Sequence, residues 1–174
     1  MKIVILLGSI LCALVLVLFA ALPKTGSTEA SPAVVYEAAD LVSGAPTSLE
    51  QLRGSPVLLS SWATWCVECR KDMPGLEQLW QDWRDEGLQV IAVNLDGPGI
   101  NRGIRAMVQE YGLTMPVWRD PSNAYSTALG TYGIPVSVLL DREGHEVTRW
   151  IGPVSFQSDD VVAIVEQILA DSTS

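Results

Sequence analysis

Pro56-Val57-Leu58-Leu59-Ser60-Ser61-Trp62, then Ala63-Thr64-Trp65-Cys66-Val67-Glu68-Cys69, then a segment running to Gly87, together decide the fold. The first seven residues are a short apolar run after a turn, which suits a buried strand. From 66 to 86 the side chains of Met73, Leu76, Leu79, Trp80 and Trp83 recur in steps of three and four, marking one face of a helix. Pro74 should kink that helix or remove one backbone bond, and Gly87 should end it. Cys66 and Cys69 therefore fall where a strand ends and a helix begins.

Outward from this junction the pattern alternates. Gln89 to Leu95 reads as a second buried strand, bounded by Asp96-Gly97-Pro98-Gly99. Residues 101 to 111 read as a helix with Ile104, Met107, Val108 and Tyr111 on its face. Pro116 to Trp118 is a short strand and 122 to 130 a short helix. Val136 to Leu140, the turn Asp141 to Gly144 and Val147 to Ile151 make a hairpin. Ser158-Asp159-Asp160 opens a last helix to about Ala170, with acids at its positive end. Upstream, Ser48 with Gln51 is a capping box for a short helix ended by Gly54. Strands separated by helices need crossovers, so the expected class is α/β. It has a central mixed, mostly parallel sheet flanked by helices, the late hairpin forming an antiparallel edge.

The chain has 174 residues, enough for one ordinary domain. Acids outnumber bases 20 to 11, a net charge of −9. That balance excludes a basic phosphate-binding surface, so no nucleic-acid partner is expected, and it disfavours docking on anionic lipid. Three cysteines exclude a multi-disulfide scaffold. Residues 3 to 22 carry no charge. At ~1.5 Å per residue they reach about 30 Å, the thickness of a bilayer core. They are longer than the apolar core of a secretory signal, so an N-terminal transmembrane anchor over 1–22 is expected, with a signal cleaved near Ala20 as the alternative. Cys12 reads as a small apolar residue of that helix, since Ile10-Leu11 before it lack the small residues an acylation site needs. Residues 23–33, rich in Pro, Ser, Thr and Gly, read as a flexible linker, and 34–174 as the exported domain.

Cys66 at a helix N-terminus meets free backbone N–H groups and the positive end of the dipole, which favour a thiolate. Cys69, three residues on, lies on the same helical face within disulfide reach. One sulfur can attack a disulfide and the other resolve it. Other readings stand beside this one. A zinc site needs about four N or S ligands, for which only His145 and Cys12 remain. A structural disulfide would close too small a loop to stabilise much. The two thiols can also be unrelated. His145 reads as a surface residue in a charged turn, and the tryptophans as core or docking surface. Gly97-Pro98-Gly99 lacks the flanks of a phosphate loop. No metal or cofactor is expected.

Trp62 to Cys69, Pro74 five residues after Cys69, and Gly133-Ile134-Pro135 resemble thioredoxin-fold proteins. The anchor, the linker and the extra helical region at 100–111 narrow this to the TlpA/ResA-like, membrane-anchored thiol–disulfide oxidoreductases of bacteria, over roughly residues 34 to 170. The resemblance implies a thioredoxin-like fold. It implies that Cys66 is the nucleophile and Cys69 the resolving cysteine of a redox-active disulfide, with Val67 and Glu68 as the intervening dipeptide. It implies that Pro135 is cis, although X–Pro bonds are trans by default. The backbone of Ile134 would then pair with an extended substrate, and Trp65 would belong to the docking surface. Asp72 falls where relatives carry an acid that can exchange a proton with Cys69; a solvated acid in a helix first turn is the alternative. Two positions depart from family patterns. Ser60 stands where cytoplasmic thioredoxins carry a buried Asp, and Val136-Ser137 where members dedicated to cytochrome maturation often carry an acid.

Glu68 should raise the thiol pKa and Arg70 and Lys71 lower it, each exposed charge counting for roughly 1 kcal/mol or less. The dipeptide lacks the histidine and proline found together in strongly oxidising relatives, which points to a reductase-type potential. The resemblance implies an extracytoplasmic (periplasmic) enzyme reducing disulfides of exported proteins, such as apocytochrome c or copper-centre assembly proteins. Electrons would come from a membrane thiol donor of the CcdA/DsbD type. Two other functions compete. A peroxiredoxin-like peroxidase needs more than Thr64 around a lone cysteine, and a copper-binding chaperone needs His145 near the cysteine pair.

Overall fold

The computed structural model describes residues 32–171. The predicted anchor over 1–22, with Cys12, and the predicted linker up to residue 31 lie outside the described residues. Among the described residues no helix is long and apolar enough to cross a membrane.

The strands are β1 (Glu37–Asp40), β2 (Pro46–Ser48), β3 (Val57–Trp62), β4 (Gln89–Asn94), β5 (Val117–Arg119), β6 (Val136–Leu140) and β7 (Glu146–Ile151). The helices are α1 (Val67–Trp83), α2 (Asn101–Glu110), α3 (Ala124–Leu129) and α4 (Asp159–Ala170). One sheet runs in the order β2-β1-β5-β4-β3-β6-β7. β3 lies near its middle, parallel to β4 from Val57↔Gln89 to Trp62↔Asn94 and antiparallel to β6 from Val57↔Leu140 to Ser60↔Ser137. All of β3 is buried, which is why it reads as a run rather than an alternation.

Successive side chains on a strand face opposite sides, and the two cores divide accordingly. Leu58, Val90 and Leu139 pack with Met73 and Leu76 of α1, Ile104 of α2 and Val165 of α4. Leu59, Ile91 and Val138 pack on the other side with Tyr125 and Leu129 of α3. Helices therefore cover both faces, as expected.

The sheet differs from expectation in one respect. It is mixed, but only β3–β4 and β4–β5 are parallel among its six pairings, so it is not mostly parallel. The N-terminal hairpin β1–β2 adds an antiparallel edge beyond β5. Its residues are exposed or half-buried, so backbone pairing holds it and no apolar periodicity announces it. Helix limits follow the predicted signals closely. α1 gives way to a 3-10 turn over Arg84–Glu86, and Gly87 closes it with φ 102°. Pro74 sits inside α1 without ending it. The predicted short helix is a 3-10 turn over Leu49–Leu52, where the Gln51 side chain accepts from the Ser48 N–H at 3.4 Å. Ser158 occupies the N-cap of α4, yet its side chain makes no capping bond.

Leu76 has no exposed surface and joins α1 to the larger core. Leu76→Ala should cost about 2–5 kcal/mol, read as a lower urea midpoint with an unchanged slope.

Candidate active site

Two neighbouring strands end together and set the site. β3 delivers Trp62, and the chain turns through Ala63-Thr64-Trp65 into α1. The antiparallel β6 begins beside the same end of β3: the Val136 N–H donates to Ser61 Oγ at 3.0 Å. The Ile134–Pro135 bond just before β6 is cis.

Cys66 is the N-cap residue of α1. Its N–H donates to the Ala63 carbonyl at 3.0 Å, and its Sγ accepts from the Cys69 N–H at 3.2 Å. Cys66 and Cys69 are bonded as a disulfide, S–S 2.02 Å, with their Cα atoms 5.3 Å apart. A helix start leaves its first N–H groups unpaired, and here one of them points at sulfur. Cys66 keeps 6% of its surface and Cys69 1%, so an approaching thiol or disulfide meets Cys66 first.

Trp65 and Val67, on either side of Cys66 in sequence, are exposed at 68% and 62%. Glu68 is paired with Lys71 at 2.7 Å on the solvent side. Arg70 donates to the Thr64 carbonyl at 2.6 Å. Ile134 is half-buried and packs on the cluster that contains both cysteines. Asp72 is buried, not a solvated first-turn acid, and its Oδ2 accepts from the Val154 N–H at 3.3 Å. Burial lifts its carboxyl above the ordinary range and Glu68 adds to the effect, while the Val154 N–H and Lys71 oppose it. Asp72 and Cys69 are three residues apart on one helix, hence neighbours on its surface. Ser60 is buried and accepts from the Ser137 hydroxyl at 2.9 Å, so at both departing positions serines pair with each other instead of presenting an acid.

Further residues enter that the sequence reading did not single out. Tyr132 is 93% exposed in the loop leading to Pro135; its only sequence signal is that position. Asp96, two residues beyond the end of β4, is buried and binds Thr64. The Thr64 hydroxyl donates to Asp96 Oδ1 at 2.9 Å, so its proton is committed to a carboxylate and not directed at a peroxide.

His145 lies elsewhere. Its Nδ1 is 3.2 Å from Asp141 Oδ2, in the turn after β6 and thus at the opposite end of that strand from Pro135. Asp141, Glu143 and His145 form the one group among the described residues with three possible ligand atoms within 4.8 Å of one another. The cysteines are not part of it, so the arrangement a copper chaperone would need is not assembled.

The sequence matches the AhpC/TSA family over residues 30–147. It is 35% identical over 112 residues to the thiol-disulfide oxidoreductase ResA of Bacillus thuringiensis, covering 63% of this chain and 62% of that protein. The chain thus spans less than two thirds of that relative's length. It is 32% identical over 121 residues to ResA of Geobacillus thermodenitrificans, covering 70% of this chain and 68% of that protein. Among solved structures it is similar to a Chlorobium tepidum protein provisionally named thiol:disulfide interchange protein DsbE, with TM-score 0.68 and 28% identity over 82% of this chain and 96% of that one.

The sign of the Asp72 effect gives a stability test. In the unfolded chain this carboxyl ionises at lower pH than in the folded one. Between the two values the folded state holds the extra proton, so stability falls as pH rises through that window. Asp72→Asn should therefore melt at a higher temperature than the unaltered protein at pH 7, with the gap closing near pH 3. Calorimetry across pH measures both.

Proposed function

Because the chain belongs to the AhpC/TSA family, with thioredoxin-like architecture around a helix-capped cysteine pair, we propose that it is a thiol–disulfide oxidoreductase that reduces protein disulfides. The observation that carries this reading is the Cys66–Cys69 disulfide at the start of α1, its outer sulfur accepting the Cys69 N–H at 3.2 Å.

In the reduced protein the Cys66 thiolate attacks one sulfur of a substrate disulfide. That S–S bond breaks, a substrate thiolate leaves, and a mixed disulfide forms. Cys69 gives up its proton and attacks Cys66 Sγ. The second substrate thiolate departs and the Cys66–Cys69 bond closes. Two electrons have passed to the substrate, and the disulfide seen here is the oxidised end of the cycle. Asp72 takes the Cys69 proton: it is a helical neighbour, and its burial raises its proton affinity toward the range useful to a base near neutral pH. Trp65, Val67 and Tyr132 form the apolar surface on which the substrate lies, and the backbone of Ile134 beside cis-Pro135 pairs with its extended chain.

The direction of electron flow is that of a reductase. Glu68 is matched by Lys71, and an exposed pair of this kind contributes little to thiolate stability. Nothing else in the dipeptide stabilises a thiolate strongly. The protein works on the extracytoplasmic side, held by the apolar segment over 3–22. It accepts electrons from a membrane dithiol protein of the CcdA/DsbD type, and its substrates are exported proteins such as apocytochrome c or copper-centre assembly factors.

The reduced domain should reduce insulin disulfides, and Cys66→Ala should abolish this. Cys69→Ala should accumulate a mixed disulfide at Cys66, identifiable by mass spectrometry. Its potential against glutathione should lie nearer about −270 mV than −120 mV; the latter, or an inactive wild-type protein, would reject the reading. Asp72→Asn should slow the resolving step by roughly a hundredfold, measured by rapid mixing.

A further inference from the structure

Thr64 lies two residues before Cys66, and all of its backbone polar groups and its hydroxyl that appear in contacts are held by two side chains. Its N–H donates to Asp96 Oδ2 at 2.8 Å and its hydroxyl to Asp96 Oδ1 at 2.9 Å, so one carboxylate grips it through both oxygens. Its carbonyl accepts from Arg70 Nη2 at 2.6 Å. Asp96 is itself fixed. Asn94 Nδ2 donates to Asp96 Oδ2 at 2.8 Å, and the Asp96 N–H returns to Asn94 Oδ1 at 3.2 Å. Arg119, also buried, donates to Asn94 Oδ1, to the carbonyls of Asp96 and Gly97 at 3.1 and 3.2 Å, and to Asn101 Oδ1 at 3.1 Å.

Strand register explains the placement. β3 and β4 run parallel with Trp62 beside Asn94. Two residues further along each chain stand Thr64 and Asp96, and the carboxylate reaches across. A carboxylate buried with three donors is a well-satisfied acceptor, and burying one without a structural return is costly. Its partner Thr64 is only half-buried and lies outside both apolar clusters. What the grip controls is the short turn between β3 and α1.

We propose that Asp96 is a positioning residue for the thiol exchange. Through Thr64 it holds the Trp65–Cys66 turn so that Cys66 sits at the cap of α1 and Trp65 stands out as a docking surface. This rests on the exchange reading above, but acts on Cys66 itself and so can be tested without a protein substrate. The network extends through Arg119 to Asn101 at the start of α2, tying that helix to the same turn.

The test compares the reduced full chain with Asp96→Asn and Thr64→Val, using iodoacetamide alkylation of Cys66 across pH beside insulin reduction and thermal melting. Thr64→Val removes only the hydroxyl of a half-buried residue and guards against loss of folding in Asp96→Asn. The rate of alkylation at pH 7 should fall roughly fivefold in Thr64→Val, a loss of the order set by a helix terminus; Asp96→Asn also removes a negative charge that disfavours a nearby thiolate, so its fall should be smaller. The profile should move to higher pH, the high-pH limiting rate should stay unchanged, and Thr64→Ser should restore the original profile. Profiles superimposable on the wild type in both variants would overturn the proposal, as would an equal fall in rate at every pH. If the wild type failed to reduce insulin while the alkylation shift appeared, the positioning role would stand and the reductase reading would fall.

Discussion

A helix leaves its first amide hydrogens without carbonyl partners, and in this protein the amide of Cys69 is satisfied by the sulfur of Cys66 at 3.2 Å. That contact depends on α1 starting at one particular residue. Its start depends on β3 ending at Trp62, and β3 ends where its parallel and antiparallel neighbours run out on the same side. The sheet thus acts as a ruler. It brings a strand-to-helix turn and the cis-Pro loop to one edge, and it sends the turn bearing His145 to the other.

Burial then separates two sulfurs of the same residue type. The outer one is reachable and lies in the field of the helix terminus. The inner one is buried in the same apolar cluster as Met73, Leu76 and Trp62, with a carboxyl one turn further along the same helix. The enclosure that raises the proton affinity of Asp72 also makes its charge unwelcome, so reactivity and folding stability pull in opposite directions at this side chain. Such opposition is common where a site needs an ionisable group that the fold alone would leave out.

The central elements were legible because their signals are local and strong. The apolar run Val57–Trp62 lies in a strand buried on both faces, and the steps Met73, Leu76, Leu79 trace one side of α1. The same two signals fix the junction at which Cys66 caps α1. The β1–β2 hairpin was not legible: at a sheet edge with open surface, its residues need only backbone partners. Asp72 was visible as a candidate, but its burial comes from the segment around Val154, eighty-two residues away, and no local pattern carries that. From sequence Asp96 reads only as the boundary that closes the second strand. Its meeting with Thr64 is a product of register between two strands, which spacing along one chain does not disclose. Tyr132 stood out only once its exposure was known.

The near-complete enclosure of Cys69 bears on timing. A covalent adduct at the outer sulfur can be released from within at once, whereas a bulky thiol from solution has no route to the inner one. Release through the inner sulfur is then a property of this polypeptide, and small thiols compete with it only by attacking the adduct itself at the outer sulfur. The same enclosure hinders stray thiols from capping the inner position, which keeps it free for the client.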